Sequence, residues 1–179
     1  MTTVPWQTKT MFFLDGLLMT SLHHTGLSVE LLSVFFGSFG SPPALGRPGH
    51  TLPTNVPVPT NCRVADYIPY DDVLPHSDVF VTTGEYGSFQ RALHHGTPLV
   101  MAGTTEEKPE MAARAEWAGV GVNLRTSHPS VEQLGQAVDE VLSNGKYKSR
   151  AFEIQAEIAT YDPVGVIVEN IEELVARSN

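Results

Sequence analysis

An alternation that begins after Asn61 constrains this chain more than any other feature. Four short runs rich in β-branched and apolar residues, RVADY (63–67), DVFVT (78–82), PLVMA (98–102) and VGVNL (120–124), are separated by stretches with helical spacing. Strands that alternate with helices imply a parallel sheet covered on both faces, because each crossover lays a helix back across the strands it joins. The helical stretches carry their own stop and start signals. One runs from about Ser88 to His94 and is ended by Gly96, a residue that accepts the left-handed conformation helices terminate in. A second covers Glu107 to Trp117 ahead of Gly119. In a third, Val131, Leu134, Val138, Val141 and Leu142 make one apolar face behind Ser130 and Gln133, the spacing of a capping box. Pro163 opens a last amphipathic segment with Val164, Ile167, Val168, Ile171, Leu174 and Val175 on one side.

Between the strand that ends at Thr82 and the helix near Ser88 lies TGEYGS (83–88), too polar for core packing. Open parallel sheets bind ligands at the carboxyl ends of their strands, and this turn is at such an end. It also opens a helix, where free backbone N–H groups and the helix dipole favour an anion, phosphate above all. Gly84-x-x-Gly87 alone does not decide the matter, since βα turns also use glycine for tight geometry. The stretch is neither the dinucleotide G-x-G-x-x-G nor a P-loop, which speaks against a dinucleotide-dependent oxidoreductase.

The rest of the chain bounds the answer. Its 179 residues suffice for one domain with a core, and a net charge of −9 with only 11 Lys and Arg argues against a nucleic-acid partner. Cys62 is the single cysteine, so neither an intrachain disulfide nor a cysteine-based metal site can form, and a reducing, cytoplasmic setting is expected. Apolar runs such as Met11–Met19, interrupted by Asp15, fall short of the roughly 20 residues a membrane span needs. Residues 1–60 read as an irregular segment whose end, from Phe36 to Thr60, is a Pro/Gly-rich linker, with FFLDGLL and LSVELLSVFF following no sustained period. His23 and His24 are adjacent and on a strand would face opposite ways, so they form no dyad or metal site.

Taken in order, DYIPYDDVLPHSDVFVTTGEYGSFQRALHHGTPLVMAGTTEEKPEMAARAEWAGVGVNL (66–124) resembles the carboxyl-terminal, donor-binding domain of UDP-sugar-dependent glycosyltransferases of the GT-B fold, in their macrolide-type and fungal branches. Ile68-Pro69, Leu74-Pro75, the glycine turn, Gly96-x-Pro98, the acid-rich loop, Ala112-Ala113-Arg114 and the Gly119–Gly121 turn carry the likeness, which extends from about Asn61 to the end. The resemblance implies a partial Rossmann-like α/β sheet, a donor-binding domain over 61–179, and no metal or cofactor beyond the UDP-sugar substrate. It implies that Ile68 and Tyr70 lie in the loop that holds the uracil, where an aromatic face can stack on the base. Thr83, Gly84, Gly87 and Ser88 fall on the diphosphate turn, with the Ser88 N–H and hydroxyl as phosphate donors. Glu107 and Lys108 fall on the acid–amide pair that holds sugar hydroxyls, although a lysine can only donate.

Two departures qualify those roles. Thr83 stands where many relatives have a histidine, and Glu85 stands where glycine is usual. A carboxylate beside a diphosphate repels it, so weakened donor affinity is expected, relieved by Glu85→Gly. In this family an acceptor domain comes first and supplies a histidine as general base, and residues 1–60 do not read as that domain; no catalytic residue is therefore assigned. The expected function is hexosyl transfer from UDP-sugar to a hydroxyl of a small lipophilic acceptor, in a truncated or remodelled form. The alternative is a non-catalytic nucleotide-binding or interaction module, self-associating through an uncovered sheet edge.

Overall fold

The computed structural model describes residues 69–177 together with the backbones of three short strands. Those strands are β1 (Met11–Phe13), β2 (Ala44–Gly46) and β3 (Arg63–Ala65). Then come a single turn of helix, α1 (Tyr70–Val73), a 3₁₀ turn over Leu74–His76, and β4 (Val79–Thr82). After β4 the alternation read from the sequence holds: α2 (Tyr86–His94), β5 (Leu99–Met101), α3 (Lys108–Ala118), β6 (Gly121–Asn123) and α4 (Val131–Ser143). Helices α5 (Gly145–Ile158) and α6 (Pro163–Arg177) finish the described chain.

Among the described residues the six strands form one sheet in the order β3-β2-β1-β4-β5-β6, with every neighbouring pair parallel. The register sets Phe13 opposite Val81, Val81 opposite Val100, and Val100 opposite Val122. From β1 the chain builds outward to β2 and β3, then crosses back to start the other half at β4. The order therefore reverses between β1 and β4, and the crevice where such sheets bind ligands opens at the carboxyl ends of those two strands.

Strand β4 shows why the sheet is covered on both sides. All four of its residues are buried, but successive side chains point to opposite faces. Val79 and Val81, with Val100 and Ala102, pack under Leu134, Ala137, Val138 and Val141 of α4. Phe80, Leu99 and Met101 pack on the other face against Phe89 and Leu93 of α2, Met111 and Ala115 of α3, and Ala151 of α5.

Both glycines read as helix stops do that work. Gly96 (φ +63°) lets the Thr97 N–H donate to Ala92 O at 2.9 Å and its own N–H to Leu93 O at 3.1 Å; Gly119 (φ +74°) repeats the pattern with Ala115 and Glu116. The capping box is formed as expected, Gln133 N donating to Ser130 Oγ and Ser130 N to Gln133 Oε1.

Three readings change. The segment before Asn61 contributes strands to the sheet: β1 runs from Met11 into the start of FFLDGLL and β2 lies inside the Pro/Gly-rich stretch, each in register with its neighbours. A parallel strand of three residues covers only about 10 Å and needs little periodicity, so prolines and glycines a residue or two away bound it without excluding it. Helix α5 adds an element between the two amphipathic segments read from the sequence, with Tyr147, Ala151, Ile154 and Ile158 at spacings of four, three and four on its core side. Helix α2 begins at Tyr86, two residues before Ser88.

Candidate functional site

The loop that leaves β4 turns at Gly84, whose φ of +95° is open to glycine and strained for other residues. A Cβ there would also sit 2.6 Å from Met101 Cε, a side-chain end that would have to move aside. Thr83 is buried, and the Gly84 N–H donates back to Thr82 Oγ1 at 3.2 Å. Glu85, in extended conformation, then takes the N-cap position of α2 without a side-chain cap bond, its carbonyl accepting from the Phe89 N–H at 3.0 Å. Ser88 is thus not the N-cap but a first-turn residue. Tyr86, Gly87 and Ser88 carry amides that have no acceptor within the helix.

Gly87 differs from Gly84. A Cβ there would meet no described atom within 4 Å, so packing does not require the glycine; its α-carbon faces open space beside the helix N-terminus. Ser88 and Tyr70, 18 residues apart, are brought together: their hydroxyls share a hydrogen bond of 3.1 Å, and the Tyr70 ring meets Phe80 edge-on at 5.7 Å. The Ser88 hydroxyl is therefore already engaged, and Tyr70 braces the first turn of α2 from α1. Ile68 lies outside the described residues.

The acid-rich loop after β5 folds against the same turn. Glu107 is the N-cap residue of α3. Its carboxyl is held below its usual range by its own backbone N–H and also by that of Tyr86, which places the carboxylate at the start of α2. Lys108 follows, and its side chain is buried while its ammonium pairs with Glu106. That pairing raises the ammonium above its ordinary range against the opposing effect of burial, and Glu85 and Glu107 act in the same direction.

Two residues of this loop were not singled out from sequence. Gly103 lets the lysine pass: a Cβ there would lie 2.1 Å from Thr83 O and 2.9 Å from Lys108 Cβ. Its only signal was a glycine directly after a strand. Glu106 takes a left-handed conformation, φ +57°, which a non-glycine residue adopts at some cost. The loop is anchored across to the one after β6, where the Thr104 N–H donates to Ser127 Oγ at 2.9 Å. Two glycine-dependent loops thus converge at one end of the sheet, presenting helix amides, an exposed carboxylate and a sheltered cation. Among the described residues, no group of three metal-ligating side chains comes together.

Comparison with known proteins places this arrangement. Residues 47–174 match the family described as "Erythromycin biosynthesis protein CIII-like, C-terminal domain". The chain belongs to this family, the C-terminal domain of GT-B UDP-glycosyltransferases. It is 44% identical over 133 residues to UDP-glucosyltransferase A1 of Starmerella bombicola, a match covering 74% of this chain and 29% of that protein. It is 51% identical over 113 residues to UDP-glucosyltransferase 1 of Beauveria bassiana, covering 63% and 24% respectively. The chain thus spans about a quarter of the length of these relatives. Among solved structures, glycosyltransferase VinC in complex with DTDP has the same fold, with a TM-score of 0.81 at 15% identity over 97% of this chain and 43% of that one. No described helix is long and apolar enough to cross a membrane.

Proposed function

We propose that this domain holds the nucleotide-sugar donor of a UDP-sugar-dependent glycosyltransferase that transfers a hexosyl group to a hydroxyl of a small lipophilic acceptor. The observation that carries the reading is the placement of the Thr83–Ser88 turn at the carboxyl end of β4, where the strand order reverses and α2 presents its N-terminus. The diphosphate would lie against the Gly87 and Ser88 amides, the Tyr86 amide being held by the Glu107 carboxylate, with the open side of Gly87 giving it room. Glu107, at the mouth of that turn, would accept hydrogen bonds from sugar hydroxyls, and Ile68 and Tyr70 would belong to the base-binding side. In the transfer, the acceptor hydroxyl gives up its proton to a general base that the acceptor domain would supply, and its oxygen bonds to the anomeric carbon as the bond from that carbon to the β-phosphate oxygen breaks. The charge that gathers on the leaving diphosphate is what the helix amides stabilise.

Gly87→Val tests this. Its side chain enters open space, so folding should survive with little change in Tm, whereas UDP binding measured by calorimetry should weaken at least about tenfold, the scale of losing a charge-assisted contact or two. Retained UDP affinity would exclude the turn as the diphosphate site. The second reading, a nucleotide-binding or interaction module without turnover, draws on α6, none of whose residues is buried. Glycoside formed by the 179-residue chain from UDP-glucose and a mixture of hydroxyl acceptors would reject the module.

A further inference from the structure

Lys108 is the one charged residue buried among the described residues, with 2% of its surface exposed. A sheltered ammonium needs a counter-charge. The partner it has is an unusual choice: Glu106 is two residues away, its side chain is 70% exposed, and its backbone takes the left-handed conformation. The lysine stem passes over Gly103 and beside the Thr83 carbonyl, and the Lys108 carbonyl oxygen lies 3.6 Å from the position of a Cβ on Gly84. The cation is thus built into the end of the sheet where the diphosphate turn begins, and only its partner faces water. In the two loops, 83–88 and 103–108, the charged side chains are Glu85, Glu106, Glu107 and Lys108, three negative and one positive, so an incoming diphosphate meets a net charge of −2 with one cation to answer it.

We propose that Lys108 is a diphosphate ligand, and that Glu106 occupies its ammonium only until the nucleotide diphosphate displaces it. The assignment rests on the donor reading above and sharpens it, because position 108 would then read phosphate charge and not sugar hydroxyls. Glu106 is suited to leaving, since its side chain is already 70% exposed and gives up little burial. Lys108 is suited to waiting, since Gly103 keeps its stem in place whichever anion it holds.

Titration calorimetry of the 179-residue chain with UDP, UDP-glucose and uridine tests the assignment. Lys108→Gln should weaken UDP and UDP-glucose alike by about tenfold or more and leave uridine unchanged. Glu106→Gln should tighten UDP by several-fold, and that gain should vanish in the Lys108→Gln background, because the competition runs through the lysine. A Lys108→Gln chain that loses UDP-glucose but keeps UDP would overturn the proposal in favour of a sugar contact. So would a Glu106→Gln gain of equal size with or without Lys108. If Lys108→Gln does not fold, Lys108→Arg and Glu106→Gln decide. Lys108→Arg, which keeps the charge, should keep the preference for UDP over uridine, and Glu106→Gln should tighten UDP more than Glu85→Gln does. A Glu106→Gln gain no larger than that of Glu85→Gln, or no gain, rejects the displacement. A wild-type chain that binds UDP no better than uridine defeats the donor reading itself, whereas one that prefers UDP, with the preference untouched by Lys108→Gln, defeats only this assignment.

Discussion

At the scale of single residues, the glycines separate by what surrounds them, and that separation is invisible in a string of letters. Gly84, Gly87, Gly96 and Gly119 were all legible as turn or cap residues, because helix periodicity and the strand before them fix where a turn must fall. Gly103 was not, since its requirement comes from a backbone carbonyl 20 residues away and from a lysine that crosses it. Gly103→Ala would drive a methyl group to within 2.1 Å of Thr83 O, an atom that cannot swing aside as a side chain would. Overpacking of that kind costs about 1–3 kcal/mol, and contact with main chain puts this case at the upper end. The midpoint of urea unfolding should therefore fall clearly below that of the wild type, while Gly87→Ala, which meets open space within a helix, should hold or raise it. Equal midpoints for the two variants would show that the loop after β5 shifts freely and that Lys108 is not held as described.

At the scale of elements, the first turn of α1 and the last turn of α2 are tied by charge. Asp71 accepts from Arg91 and from His95 Nε2, the latter at 2.9 Å, and these two contacts hold its carboxyl well below its usual value of 3.8, at about 2. His95 follows the last residue of α2 and closes the helix with a specific partner on the element that carries Tyr70. The folded-state pKa of Asp71 is depressed, so what the carboxylate contributes is present above about pH 4 and is lost as pH falls toward 2. Asp71 is exposed, so the contribution is screened and small. Asp71→Asn should lower Tm slightly at pH 7, with a gap that narrows once the pH drops below about 4; a gap that stays constant down to pH 3 would mean that the carboxylate charge does not stabilise this pair of helices. The sequence could not show the pairing, because the two elements are separated by β4 and meet only once the sheet has formed.

At the scale of the whole molecule, the half of the sheet from β4 to β6 was legible because β4 and β5 are fully buried apolar runs and each helix between the strands ends at a glycine stop. In the other half only β3 was legible, inside RVADY; β1 and β2 were not, because three-residue strands without a periodic run of their own acquire meaning only from the neighbours they pair with. Helix α6 presents the opposite case: its apolar face was plain in the sequence, but the fold leaves it in water. Val164, Ile167, Val168 and Ile171 are all roughly half exposed or more, whereas the comparable face of α4 is in the core. A contiguous apolar stripe on a 15-residue helix is unfavourable in solvent, and burying it against a second apolar surface is the direct remedy. The chain on its own should therefore self-associate, its sedimentation coefficient rising with concentration, and Ile167→Glu with Ile171→Glu should abolish that rise. Both positions are exposed, so the double substitution should leave the unfolding midpoint close to the wild type's and separate association from folding. A wild-type chain that sediments as a monomer at about a hundred micromolar would show that the stripe is too narrow to drive association, since side-by-side burial of two such faces is expected to hold well below that concentration.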